Sequence, residues 1–187
     1  MSALLDLNIA LFRVIGAGHQ PDARLLWFAG GIAEDSAWLC VALLGWAAWR
    51  QPAQRFYLLG TLLAAAAASL LAHVLAEAIG MPRPFVMGLS PAHIEHGVRG
   101  SLPSAHATVM FTIGLVLCLR PALRRIGLAI LAIALVTGWA RVYVGVHFPL
   151  DIVAGLLLAG VIAAAFRGLE ELLQRFVPMA TRGRPRS

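Results

Sequence analysis

The stretch RVYVGVHFPLD, residues 141–151, decides the fold, because it places an arginine, a histidine and an aspartate between two long apolar segments. Those segments, 123–143 and 149–168, are each close to the ~20 residues that a helix needs to span a bilayer. Pro149 suits the first turn of a helix, so the stretch is predicted to be a short turn between two spans. Charge near a bilayer is costly and is kept mainly where it does chemistry, which predicts a functional turn.

The composition indicates a membrane protein. Of the 187 residues, 60% are hydrophobic and only 13% are charged, and the mean hydropathy is +0.81. A soluble domain carries about 25% charged residues. No polar linker interrupts the apolar segments, so residues 1–187 are predicted to form a single membrane-embedded domain. The expected fold is an all-α polytopic membrane protein, a helical bundle of about five transmembrane helices plus an N-terminal interfacial helix.

The apolar pattern places these helices along the chain. Residues 1–20 are predicted to hold the interfacial helix, because residues 3–16 alternate apolar faces with Asp6, Asn8 and Arg13 and are short for a span. Five spans are predicted at 24–49, 56–79, 104–120, 123–143 and 149–168.

Arginine sets the expected orientation, since the chain contains no lysine and its formal charge is +6. The arginines that flank alternate turns or lie near the C-terminus are Arg50, Arg55, Arg120, Arg124, Arg125, Arg167, Arg175, Arg182, Arg184 and Arg186. The positive-inside rule places them in the cytoplasm, and residues 80–103 and 141–148 outside. This predicts a bacterial inner-membrane protein whose active site faces the periplasm or exterior. Residues 178–187 are predicted to be a disordered basic tail against anionic headgroups, and no nucleic-acid partner is expected.

Ser104 and His106 form one candidate anion site. Pro103-Ser104 directly precedes a long apolar segment, so Ser104 is a natural N-cap and His106 falls in the first turn. Free backbone amides and the helix dipole at such a start attract anions. The alternative is plain capping beside a surface histidine, and this block alone does not separate the two.

A second candidate site combines the turn 141–151 with Arg83. Asp151 can accept the Nδ1 proton of His147 and leave Nε2 free to attack phosphorus. Arg83 and Arg141 have no nearby carboxylate in sequence, which suggests an anion with several oxygens, most simply phosphate. Each residue has a structural alternative, such as a snorkelling arginine or an aspartate that favours a helix start. Their joint occurrence on one face predicts phosphoryl transfer at a membrane surface.

These blocks resemble the motifs of the type 2 phosphatidic acid phosphatase family, Lys-x6-Arg-Pro, Pro-Ser-Gly-His and Ser-Arg-x5-His-x3-Asp. The matching residues are Arg83-Pro84, then Pro103, Ser104 and His106, then Arg141, His147 and Asp151. Within the family the pattern is similar to the small bacterial undecaprenyl-pyrophosphate phosphatases of the bacitracin-resistance type.

The resemblance implies a role for each matched residue. His147 would be the nucleophile that forms a phosphohistidine, Asp151 would orient it, and His106 would protonate the leaving oxygen and then help to activate water. The groups implied to hold the phosphoryl oxygens are Arg83, Arg141, Ser104 and the amides that begin at Ala105. No metal and no cofactor are implied, because arginines take the place of a divalent ion.

The sequence departs from the family pattern at three positions. Ala76, followed by Glu77, stands where the family has lysine, and His73 one turn earlier is a candidate auxiliary contact. Ala105 replaces the glycine of the second motif, where members of the bacitracin-resistance type usually have aspartate. Ala140 replaces the serine of the third.

Other polar residues leave alternatives open. Glu34 and Asp35 lie within the first span, and point about 100° apart on a helix. They are either functional, or one of them pairs with an arginine or lies at a wet helix interface. The loop residues His93, Glu95 and His96 suggest either a metal site or, together with Arg99 as a candidate auxiliary contact, a loop near an anionic headgroup.

The expected reaction is removal of the terminal phosphate from undecaprenyl pyrophosphate, with a lipid substrate in the bilayer as the partner. Alternatives within the same chemistry are phosphatidylglycerophosphate, lipid A 1-phosphate, or transfer to another lipid instead of water. Outside it, His73 and His106 on neighbouring spans are compatible with a haem-binding carrier, and a non-enzymatic scaffold is a third hypothesis. The sequence leaves the oligomeric state open.

Overall fold

A computed structural model describes the backbone of residues 2–181, and every regular element in that range is helical. The six α-helices are α1 (Ser2–Ile15), α2 (Ala23–Arg50), α3 (Arg55–Ile79), α4 (Ala105–Cys118), α5 (Arg124–Tyr143) and α6 (Pro149–Thr181). Short 3₁₀ turns at Pro52–Gln54 and Pro121–Leu123 precede α3 and α5. The predicted all-α fold is confirmed. Along the chain, α1 coincides with the predicted interfacial helix, and α2 to α6 coincide with the five predicted spans.

The helices α2, α3, α5 and α6 are long and apolar enough to cross a membrane. In contrast α4 has 14 residues, or about 21 Å at ~1.5 Å per residue, which is less than the hydrocarbon thickness. Its side chains are mostly buried, because α4 packs against α3, α5 and α6. A helix that is apolar all round belongs in the interior, so α4 is the central helix of the bundle.

The helix α6 is longer than predicted. It continues past residue 168 to Thr181, and Arg167 donates to the carboxylate of Glu171 at 2.7 Å along the exposed face of that extension. Pairs four residues apart of this kind support a helix beyond the apolar segment. The first four residues of the predicted tail 178–187 therefore belong to α6, and residues 182–187 lie outside the described residues.

Small residues bring the central helices together. A Cβ placed on Gly127 of α5 would lie 2.8 Å from the backbone oxygen of Gly114 on α4, so the two backbones touch there. Small side chains at a helix crossing allow such an approach in membrane bundles. This close packing fixes α5 against α4.

Because consecutive helices run in opposite directions, one end of the bundle collects the start of α2, α4 and α6 and the end of α3 and α5. The segment between α3 and α4 and the turn between α5 and α6 close this end. The helix α1 lies there too, since Asn8 Oδ1 accepts from the backbone N–H of Leu150 at 3.1 Å and Phe12 packs edge-on against Phe148. All the predicted site residues lie at this end.

Candidate active site

The turn between α5 and α6 is rigidly held. The backbone N–H groups of Val146 and His147 both donate to the carbonyl of Arg141, at 3.2 and 3.3 Å. Gly145 has φ of 84°, and a Cβ there would lie 2.5 Å from the carbonyl oxygen of Pro91. Only glycine fits this left-handed position against the covering loop. The turn therefore presents His147 in one fixed orientation.

His147 and Asp151 form the predicted pair. His147 Nδ1 lies 3.1 Å from Asp151 Oδ2, and both side chains are buried. The same carboxylate oxygen accepts from the backbone N–H of Phe148 at 2.7 Å and from the hydroxyl of Ser101. A proton on Nδ1 satisfies the carboxylate, which leaves Nε2 unprotonated and carrying the lone pair of the ring.

Arg83 lies directly against that lone pair. Its Nη1 is 3.2 Å from His147 Nε2 and also donates to the carbonyl of Val146 at 2.7 Å. Its Nε and Nη2 donate to the carbonyls of Arg99 and Gly100, at 2.9 and 3.2 Å. Backbone carbonyls thus fix the guanidinium plane beside the predicted nucleophile, and no carboxylate among the described residues pairs with Arg83.

Arg141 approaches the site from the end of α5. It is buried, and its Nη1 donates to the carbonyl of Ala33 on α2 at 3.0 Å. Its Nη2 lies 2.7 Å from Nε2 of His96, while its Nε has no hydrogen-bond partner within the described part of the chain. A buried guanidinium with free donors on the cavity wall is a favourable site for an oxyanion.

The protonation state of His147 follows from its surroundings. Burial, and next the positive charges of Arg141 and Arg83, lower the pKa of His147 well below its usual value. A buried imidazole between two guanidiniums is therefore neutral near pH 7. The neutral form carries the lone pair that a nucleophile requires.

The second block forms the start of α4. The Oγ of Ser104 accepts from the N–H of Ala107 at 3.5 Å, so Ser104 is the predicted N-cap. Its own N–H donates to the carbonyl of Asp151 at 3.1 Å, which joins α4 to α6. Ser104 is fully buried and does not line the cavity, whereas Ala105 and His106 do. The structure therefore places the Ser104 hydroxyl in the helix cap and leaves the cavity wall to the next two residues.

These groups surround a cavity of about 440 Å³. The predicted residues on its wall are Arg83, Ala105, His106, Arg141 and His147, together with His73 and Arg99. His73 is tied through Nδ1 to the carbonyl of Ser69 at 2.7 Å. Ala76 and Glu77 also line the cavity, so a carboxylate follows directly after the position of the missing family lysine.

Sequence reasoning did not assign a role to one residue of this site and left the role of another open. Ser101 is buried and donates to Asp151, and its only sequence signal is its position two residues before Pro103. His96 was predicted to belong either to a metal site or to a loop near an anionic headgroup. It lines the cavity, against Arg141 and with its ring centroid 5.8 Å from that of His147. A loop has no regular periodicity, so its sequence does not predict which of its side chains enter the cavity.

The other polar candidates lie away from this arrangement. His93 points elsewhere, with Nε2 2.9 Å from the carbonyl of Gly18, so His93 and His96 do not converge on a metal position. Among the described residues no three histidine, cysteine or acidic side chains come together as metal ligands. Glu34 and Asp35 are exposed on α2 and do not line the cavity.

Comparison with known proteins assigns the family. The family model of the PAP2 superfamily matches residues 57–173, which is more than half of the chain. The chain belongs to the PAP2 superfamily. The matched range contains all three motif blocks of this PAP2 protein, and the resemblance to a phosphatase family is confirmed.

Relatives and structural neighbours agree with this assignment. The YbjG protein of Escherichia coli (strain K12), provisionally named an undecaprenyl-diphosphatase, is 33% identical over 161 residues, covering 85% of this chain and 80% of its own. Undecaprenyl-diphosphatase BcrC of Bacillus subtilis (strain 168) is 35% identical over 101 residues, 54% of this chain and 51% of its own. A transmembrane PAP2 type phosphatidylglycerolphosphate phosphatase from Bacillus subtilis shares the fold, with a TM-score of 0.70 at 23% identity over 94% of this chain and 90% of its own.

This PAP2 protein is a multi-pass membrane protein and a phosphatase that acts on membrane lipids. The predicted enzyme class, a hydrolase, is confirmed by the family and the curated relatives. The membrane-embedded helical fold is confirmed by the solved structure.

Proposed function

We propose that this PAP2 phosphatase removes the terminal phosphate of undecaprenyl pyrophosphate through a phosphohistidine formed on His147. The observation that carries the proposal is the buried His147–Asp151 pair, whose Nε2 faces Arg83 on the wall of a cavity large enough for a phosphate group. The choice of substrate is supported by the names of two relatives, YbjG, which matches 85% of this chain, and BcrC of Bacillus subtilis, which matches 54%.

In the first step the Nε2 lone pair of His147 attacks the terminal phosphorus. An N–P bond forms and the bond from that phosphorus to the bridging oxygen breaks. His106, which takes up a proton once the bound diphosphate anion offsets the charges of the arginines, gives that proton to the bridging oxygen. Undecaprenyl phosphate then departs. The carboxylate of Asp151 balances the positive charge that the phosphorylated ring acquires, because it already accepts from Nδ1.

In the second step His106 takes a proton from a water molecule whose oxygen attacks the phosphorus. The N–P bond breaks, inorganic phosphate leaves, and both histidines return to their starting states. Arg83, Arg141 and the amides at Ala105 and His106 stabilise the equatorial oxygens in both steps, since fixed donors are most effective where charge develops.

The surroundings of the cavity suit a lipid. Its walls include residues of α2, α3 and α4. Because α2 packs mainly on α5 and α3 packs mainly on α4, α2 and α3 make little contact with each other. The apolar tail is proposed to lie in the bilayer between α2 and α3, with the diphosphate at the arginines. The arginine distribution supports a site on the extracytoplasmic face of the bacterial cytoplasmic membrane. The haem-carrier alternative is set aside, because the family is one of phosphatases.

The test is phosphate release from undecaprenyl pyrophosphate by purified protein in detergent with EDTA present. We expect release by the parent and by His19→Ala, a matched control on an exposed histidine outside the site, and none by His147→Ala. When its reaction is stopped with alkaline detergent, His106→Ala is expected to retain alkali-stable, acid-labile phosphate on the protein. Release that survives in His147→Ala would contradict the phosphohistidine route.

The same assay separates the substrates. Phosphatidylglycerophosphate and lipid A 1-phosphate are offered at matched concentrations, and a second lipid alcohol is added to detect transfer in place of hydrolysis. A kcat/KM for either lipid above that for undecaprenyl pyrophosphate would overturn the substrate assignment while the reaction itself stands.

A further inference from the structure

The loop that covers the cavity contributes a third histidine that the mechanism above does not use. His96 lines the cavity, and its ring packs edge-on against that of His147, with an interplanar angle of 82°. No family motif includes this residue. Its position between the nucleophile and Arg141 therefore needs a role of its own.

The hydrogen bonds of His96 fix its tautomer. Nδ1 lies 3.1 Å from the carbonyl of Gly97, to which only a protonated nitrogen can donate. Nε2 is then an acceptor, and Nη2 of Arg141 lies 2.7 Å from it. Burial and the positive charge of Arg83 lower the pKa of His96 to about 4, which keeps the ring neutral and able to accept.

Arg141 has two anchors on two different nitrogens. The carbonyl of Ala33 holds Nη1 at 3.0 Å, and His96 holds Nη2. Two anchors define the plane of a guanidinium, whereas one leaves it free to rotate. With both in place, Nε and the second hydrogen of each Nη remain for an oxyanion.

We propose that His96 is a positioning residue, whose Nε2 holds the Arg141 guanidinium in the plane that meets the phosphoryl oxygens. The inference rests on the proposed phosphate site but not on the identity of the lipid. It predicts that the acceptor atom at the Nε2 position matters more than the ring itself.

Two amide substitutions test this prediction. In His96→Gln the side-chain oxygen reaches approximately the position of Nε2, whereas in His96→Asn it lies near that of Nδ1. We expect kcat/KM to fall about tenfold in His96→Asn and His96→Ala, the usual effect of one hydrogen bond to a charged group, and to stay within about threefold of the parent in His96→Gln. The inhibition constant of inorganic phosphate is expected to rise in His96→Asn and His96→Ala and to stay close to the parental value in His96→Gln.

The pair is then examined in a double-mutant cycle. Because His96 is inferred to act through Arg141, adding His96→Asn to Arg141→Ala is expected to cause no further loss. Thermal unfolding in detergent identifies variants that fail for lack of folding, and His19→Gln provides a control on an exposed histidine.

Three results would overturn the inference: parental kinetics in His96→Asn, equal losses in the Asn and Gln variants, or an additional tenfold loss in the Arg141→Ala background. If the parent releases no phosphate from any lipid, binding of inorganic phosphate by calorimetry still distinguishes the variants. Weaker phosphate binding in His96→Asn than in His96→Gln would then support the inference even though the proposed function had failed.

Discussion

Three donors converge on one oxygen of Asp151, and one of them is the hydroxyl of Ser101, to which the sequence analysis assigned no role. Its hydroxyl also lies 3.5 Å from His147 Nδ1, so it lies beside both members of the pair. We expect Ser101→Ala to slow phosphohistidine formation about tenfold in a single-turnover experiment, because the carboxylate loses one fixed donor. Ser90→Ala, a buried serine outside the pair, serves as the control. An unchanged rate would mean that the backbone N–H of Phe148 is sufficient to hold the carboxylate.

The depressed pKa values of His96 and His147 predict how stability depends on pH. The unfolded chain takes up a proton on each ring near the usual pKa of 6.5, whereas the folded protein does so only at lower pH, about 4 for His96. The unfolded state binds more protons below 6.5, so the free energy of unfolding decreases as the pH falls from 6.5 towards 4. Tm in detergent is expected to drop by about 2–4 °C per kcal/mol lost, and less steeply in His96→Gln. Equal slopes for the two proteins would contradict the assignment to His96.

At the scale of elements, α1 braces the first turn of α6. Asn8 is fully buried and accepts from Leu150, one residue before Asp151. We expect Asn8→Leu to lower stability by about 1–3 kcal/mol by leaving that N–H without a partner, and to lower kcat by disturbing the turn that holds Asp151. Val14→Ala changes an exposed position of the same helix and is expected to have little effect. Equal denaturation midpoints for Asn8→Leu and the parent would contradict the brace.

The helices themselves could be predicted from the sequence, and α2, α3 and α5 start and end within a residue or two of the predicted spans. Charged residues and prolines flank the apolar segments and mark where the helices end. The length of each segment, close to what a bilayer requires, identifies it as a span. The segment between α3 and α4 could not be predicted in the same way. Its sequence shows no periodicity that would predict which side chains are buried. Ser101 was therefore not proposed as a site residue, and the role of His96 was left open, while Arg83 was found through its motif. The cap at Ser104 was predicted, but its burial away from the cavity was not, because that depends on the contact with α6.

At the scale of the molecule, the two ends of the bundle differ in chemistry. Opposite the active site, Arg120 stacks 4.4 Å from the centre of the Tyr57 ring and pairs with Glu170. This cluster ties the beginning of α3 to the end of α4 and to α6. It lies at the end that the arginine pattern assigns to the cytoplasm.

That orientation predicts the outcome of labelling in intact cells. In a background without Cys40 and Cys118, a membrane-impermeant thiol reagent is expected to modify Ala92→Cys, in the exposed loop over the site, but not Ala53→Cys, in the exposed turn before α3. Permeabilised cells, in which both positions are expected to react, are the control. Labelling of Ala53→Cys alone would reverse the orientation.

The contact between Arg83 Nη1 and His147 Nε2 has a consequence for the resting enzyme. Before a phosphate group binds, this guanidinium is placed to donate a hydrogen bond to the Nε2 lone pair that attacks phosphorus in the proposed mechanism. An uncharged electrophile that enters the cavity does not compete for the Arg83 hydrogen bond, so the Nε2 lone pair of His147 stays engaged. A phosphate ester brings oxygens that compete for that hydrogen, so the arriving substrate unmasks the reactive atom itself. Under the proposed mechanism, the negative charge of the substrate therefore activates the nucleophile.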